Sequence, residues 1–227
     1  MKLIASMQSI AAISVLSDAV IPENGLLQTD LINFVGGVYN FSVKPQIPPA
    51  MAAQIFPVLL FQSGKAVINE NAYPVNQIAV VQNGDIVMAS STEIADLILD
   101  DFVSKLDSGL GYRIGASKPK KMYVSNMVVQ FERPIERPDS AISKICNLLN
   151  KKIVRPDKPF NVKRLAFGAG DFAIMQIPTL EGIINADFII ERRASVDYSE
   201  NVYFSSAPVT TSEHLKILSE IESEILS

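Results

Sequence analysis

The feature that most constrains this chain is the dipeptide Asn83-Gly84, set between the apolar runs Val75 to Gln82 and Asp85 to Ala89. Asn-Gly tolerates the positive backbone angles of a type I′ turn, so the two runs are expected to fold back on each other as a β-hairpin. Ser90 follows as a helix N-cap with Glu93 three residues on, the pattern of a capping box. From there Ile94, Leu97, Ile98, Phe102 and Leu106 keep helical spacing and form one apolar stripe. A hairpin feeding a helix that returns to cover it is the nucleus around which the rest is placed.

Upstream, the mostly apolar run Leu3 to Leu16 is broken by Ser6, Gln8, Ser9 and Ser14, and its cleavage context as a secretory signal is poor. It reads as one buried first strand. Leu26 to Tyr39 spaces Leu27, Leu31, Phe34 and Val38 as a helix, and Pro57 to Phe61 with Ala66 to Ile68 reads as a strand pair turning at Ser63-Gly64. Downstream, strands are expected at Met122 to Phe131, Val162 to Phe167, Phe172 to Ile177 and Ile183 to Ile190. Helices are expected after Asp139, with Ile142, Ile145 and Leu149 on one side, and after Thr210, with Leu218, Ile221 and Ile225 on one side. Short turns force antiparallel pairing, so the fold class is α+β: a mostly antiparallel sheet with helices packed on it. Two lobes in one compact unit are expected, residues 1–110 with the hairpin-helix unit and residues 111–227 with basic loops and the terminal helix. No internal repeat is visible.

Composition enters where it limits function. Cys146 is the single cysteine, so no internal disulfide or thiol cluster can form, which points to a reducing, cytoplasmic setting. No apolar run reaches the roughly 18–20 residues that span a bilayer, and no metal or cofactor pattern is present. Gly168-Ala169-Gly170 lacks the third glycine of a dinucleotide cradle and reads as a turn. The net charge of −4 hides a segregation: positions 113–164 hold thirteen Lys and Arg against four Asp and Glu, a local +9. Within it Lys118, Lys120 and Lys121 fall in one expected loop, and Lys151, Lys152, Arg155 and Lys158 in another. Such a patch suits a phosphate backbone or an acidic protein surface, and equally a solvated face.

The densest polar cluster lies near the C-terminus: Arg192, Arg193, Glu200, Asn201 and Tyr203, with His214 beyond. Guanidinium groups could fork onto an anion or partner there, or could order a surface loop by pairing with Glu200. His214 is the only imidazole. In the first turn of the last helix it reads as solvent-facing rather than as a general base, and no nucleophile-elbow pattern surrounds Ser199, Ser205 or Ser206. The sequence therefore favours a non-enzymatic protein-binding or assembly subunit, contacting another protein or a second copy of itself. A nucleic-acid-associated protein using the basic segment is the alternative.

Overall fold

The computed structural model describes residues 1–14, 28–46, 58–81, 84–135, 141–152, 164–168, 187–194 and 196–226. Nine strands form a single antiparallel sheet: β1 (Lys2–Ser6), β2 (Ser9–Ser14), β3 (Leu59–Ile68), β4 (Asn71–Val81), β5 (Gly84–Ala89), β6 (Lys120–Gln130), β7 (Arg164–Phe167), β8 (Phe188–Arg192) and β9 (Val202–Ala207). The path across it is β3-β4-β5-β2-β6-β9-β8-β7, with β1 paired to β6. The helices are α1 (Gln28–Val38), α2 (Thr92–Leu110), α3 (Ala141–Lys152) and α4 (Thr211–Leu226). The α+β class and antiparallel sheet read from the turns are present.

The hairpin forms as its alternation requires, with one adjustment. Val81 pairs with Gly84, so Gly84 belongs to β5 rather than to the turn. The helix start also moves by one. Ser91, not Ser90, is the N-cap, its side chain accepting from the Ile94 amide. The stripe on α2 then buries Ala95, Ile98, Leu99, Phe102 and Leu106 against β2, β5 and α1, in one core with Ala11, Ile13, Val87 and Ala89. Each large side chain removed from water there contributes roughly 1.5–3 kcal/mol. Gly111, at φ 73, ends α2 in the left-handed region where a Cβ is costly.

Four other expectations are corrected. The first apolar run is two strands, β1 exposed along its length and β2 buried. Ser63-Gly64 is a kink inside one continuous strand; the turn is Asn69-Glu70, both left-handed, which closes β3 onto β4. Gly64 is needed at the kink because a Cβ would lie 2.5 Å from the Phe41 ring. Val202–Ala207, read as polar loop, is strand β9, paired with β6 and β8. Lys120 and Lys121 begin β6 rather than sitting in a loop. Expectations on Phe172 to Ile177 and on Asp139 lie outside the described residues.

The element order repeats although the sequence does not. The series β2-α1-β3-β4-β5-α2 is followed by β6-α3-β7-β8-β9-α4. In each series the first strand pairs with the fourth, the fourth with the third and the third with the second, and β2 pairs antiparallel with β6 at the centre. Ser9 opposite Ala89 corresponds to Ser125 opposite Ala207. The register also puts Ala11 and Tyr123, then Ile13 and Lys121, side by side. The side chains of β2 and β6 that face α2 and α4 therefore share one face of the sheet, and the two helices lie on it.

Candidate functional site

The C-terminal polar cluster is taken apart by the strand that runs through it. Arg192, at the end of β8, donates to the Tyr198 carbonyl at 2.6 Å and lies 3.4 Å from the centroid of the Tyr198 ring and 4.8 Å from that of Tyr203. It clamps the turn that follows it. Tyr203 is buried against Phe131, and its hydroxyl accepts from the Ile135 amide. Asn201 takes the left-handed conformation after the 3-10 turn Tyr198–Glu200, and its carbonyl receives the Phe131 amide. The Glu200 carbonyl receives Gln130 Nε2 at 2.9 Å. Arg193 is exposed and its amide donates to Val202. Most of these groups order the chain here.

His214 is fully buried, contrary to the solvent-facing expectation. With Thr210 as the cap of α4, accepting the Glu213 amide at 3.3 Å, His214 falls on the same stripe as Leu218 and Ile221 and turns to the sheet. Its Nε2 lies 2.8 Å from Ser205 Oγ, which donates to the Ile189 carbonyl. The Phe188 ring meets it edge-on at 5.4 Å. Burial lowers its pKa to about 4, opposed only by the Ser125 backbone. A serine and a histidine in hydrogen-bond contact have the first element of a nucleophile-base pair. Here both are at 0% exposure, and the serine proton is committed to a backbone carbonyl. The pair fills the place that Val87 and Ala95 occupy in the other half, so it is a polar core contact.

The cations do not act as one group. Lys121 bridges Asp96 and Asp100 of α2, at 2.7 Å to each. Asp101 accepts from Tyr39 and Lys105, at 2.7 and 2.6 Å. Lys118, Lys120, Lys151 and Lys152 are exposed; Arg155 and Lys158 lie outside the described residues.

Two arrangements were not legible beforehand. The first is where α2 and α4 meet. The Thr92 amide donates to Thr211 Oγ1 at 3.0 Å and the Thr211 amide to Thr92 Oγ1 at 2.6 Å, so each helix caps the other. Glu93 joins them by accepting the Ser212 amide and hydroxyl, both at 2.9 Å. Desolvation alone would raise its pKa, but these hydrogen bonds and its own amide hold it at about 2. Two positive helix ends are neutralised by one carboxylate. The capping-box glutamate thus serves the opposite helix.

The second is β1. Among the described residues it pairs only with β6, and all five of its residues are exposed. Leu3 and Ile4 are 42% and 44% exposed, and Met7 beyond them 41%. By contrast the outer edge of β3 is covered by residues 39–43, through Val43 paired with Gln62 and the Lys65 amide on the Tyr39 carbonyl. No protein-family model matches the chain, and a search of curated proteins returns no match. Among the described residues no helix is long and apolar enough to cross a membrane.

Proposed function

We propose that this protein is a non-enzymatic binding subunit that engages another protein through the edge of its sheet. The observation that carries this reading is β1, an edge strand with Leu3 and Ile4 exposed. Unpaired strand edges are templates for pairing with other chains, and folded proteins commonly cover them. The outer edge of β3 is covered, whereas among the described residues β1 and the terminal strand β7 each pair on one side only, and β1 presents two adjacent apolar residues. In support, the side chains best equipped for chemistry are spent on structure: His214 and Ser205 in the core, Arg192 on Tyr198, Lys121 on two aspartates. The neutralised Lys121 also weakens the case for a phosphate-binding surface.

The test is a photo-crosslinking residue at Ile4, compared with one at the exposed Ser223 of α4, in the cells that make the protein. A discrete adduct from position 4 and none from position 223 is the expected outcome. No adduct from position 4, or the same adducts from both, removes the reading.

A further inference from the structure

The two series part company at one matched place. On α2 the residue three after Thr92 is Ala95, in the same core as Val87. On α4 the residue three after Thr211 is His214, and it meets Ser205. One helix is seated there on apolar contact, the other on a polar pair at 0% exposure.

The hydrogen bonds fix the state of the imidazole. Ser205 Oγ gives its proton to the Ile189 carbonyl at 2.8 Å, so Nε2, also 2.8 Å away, carries the hydrogen that Ser205 accepts. Nδ1 is then bare and buried, and makes no hydrogen bond among the described residues. A second proton on it would place a full charge in the core. Among the described residues no charge stands by to balance it. On the sheet face beneath α4 the titratable groups are Tyr203 of β9, against Phe131, and Arg192 of β8, stacked on Tyr198; β6 offers none there. Glu191 alternates to the other face, and Asp187, before β8, lies against Gly168. On α4 itself Glu213 and Lys216 are exposed, while Glu222 is engaged by the Met1 ammonium and the Glu132 amide. Glu93 reaches the first turn from α2, but through Ser212. The influences on His214 are its burial and the Ser125 backbone.

We propose that acid releases α4 from the sheet, as an opening within the native state that leaves the first series folded. On taking up a proton His214 leaves the core for water, and the helix goes with it. The release uncovers Met127, Val129, Ile190 and Tyr203. It parts Thr211 from Thr92, yet α2 keeps its own cap at Ser91. The first series responds to acid in the opposite sense, because its buried ionisable group is a carboxyl, Asp85, which burial keeps neutral. Tyr112 faces Asp85 from the connector after α2, and Lys121, one strand beyond Ile13, is held by Asp96 and Asp100. His214 titrates at about 4 in place of 6.5. The helix is therefore fully seated above pH 6.5, and its opening grows about tenfold per unit below that, on the order of a hundredfold by pH 4. Glu93, held at about 2, stays ionised across this interval.

The experiment is residue-resolved hydrogen exchange of the full chain between pH 7 and pH 4, with rates corrected for the pH dependence of unprotected amides. Leu215 to Ile221 of α4 should lose about a hundredfold in protection, and Ile98 to Leu106 of α2 should not. Two variants carry the test further. His214→Gln keeps a donor for Ser205 but cannot titrate. Ser205→Val with His214→Ala installs the pair found in the first series. Either one, if folded at pH 7 by the same exchange pattern, should hold α4 protection level down to pH 4. Protection of α4 that does not change with pH overturns the proposal. So does equal loss from α2 and α4, which would mean that acid acts on the whole fold. A loss that persists in His214→Gln also overturns it and transfers the effect to another group, Glu222 being the nearest on the helix.

Discussion

Replacing Asp85 with Asn should stabilise the protein at pH 8 and do little at pH 4. Asp85 is 4% exposed on β5, opposite Ile13 and Val80, and burial raises its pKa from 3.8 to about 7. A raised carboxyl is held neutral by the fold, so its stability is fully present below pH 3.8 and is lost as pH rises through about 7. The displacement corresponds to about 4 kcal/mol between its protonation states, and relaxation of the site with water entry brings the expected loss to about 2–4 kcal/mol. His214 has the opposite slope. Its folded pKa of about 4 lies below the ordinary 6.5, so its stability is present above pH 6.5 and is lost as pH falls toward 4. In the native protein the two partly cancel between pH 4 and 6.5. Asp85→Asn removes one of them, and stability should then rise over that interval. Urea unfolding of both proteins at half-unit steps, with matched slopes, gives the comparison. A constant difference between the two proteins from pH 4 to pH 8 would refute the buried-carboxylate argument.

Thr92→Val and Thr211→Val should each cost about 1–2 kcal/mol, the range for a lost helix cap. Together they should cost less than the sum, because the two hydroxyls also share a hydrogen bond at 3.1 Å that either substitution removes; additive losses in a thermal double-mutant cycle would refute that coupling. Glu93→Gln should lower stability modestly at pH 6 and leave it nearly unchanged only at about pH 2 or below. Its folded pKa of about 2, below the usual 4.5, gives stability that is present above pH 4.5 and lost as pH falls through about 2. A variant whose deficit does not shrink in acid would count against the Ser212 contact. If the exposed Lys118, Lys120, Lys151 and Lys152 form a phosphate-binding surface, filter retention of duplex DNA at low salt should fall steeply with added salt; no retention at any salt closes that alternative.

What the sequence revealed follows from where its signals are local. The β4–β5 hairpin and α2 are set by residues within a few positions of one another: the start of β5 and the start of α2 were legible to within one residue, whereas β4 begins four residues before the expected Val75. β9 was not, because Ser205 and Ser206 read as solvent-seeking, whereas both are buried and Ser205 spends its hydroxyl on the Ile189 carbonyl. The run Val202-Tyr203-Phe204 was the strand signal available there. His214 was misplaced although its cap was read correctly at Thr210: four residues before Leu218 it lies on the apolar stripe, but its polarity was taken as exposure. The repeat was hidden for a different reason: equivalent places in the two halves hold Val87 and Ser205, or Ala95 and His214, which share a position without sharing chemistry. The C-terminal cluster looked like a site because ordering a turn and binding an anion call on the same residue types. Exposure of β1 could not be read at all, since it depends on which strand stands beside it, and that is settled by pairings distant in sequence.

The crossed threonines at the heads of α2 and α4 join the two series of elements directly. A helix start normally answers to its own flanking residues, so it can drift independently of the rest of a protein. Here the first turn of each helix has its local cap, Ser91 or Thr210, and takes a second acceptor from a residue 119 positions away. A substitution at Thr92 is therefore a lesion in α4 as well, and neither helix can be shifted, shortened or exchanged for that of a related chain without refitting the other. The junction forms only when both series are present, which joins early and late parts of the chain in one cooperative transition. Variation should accumulate in pairs there.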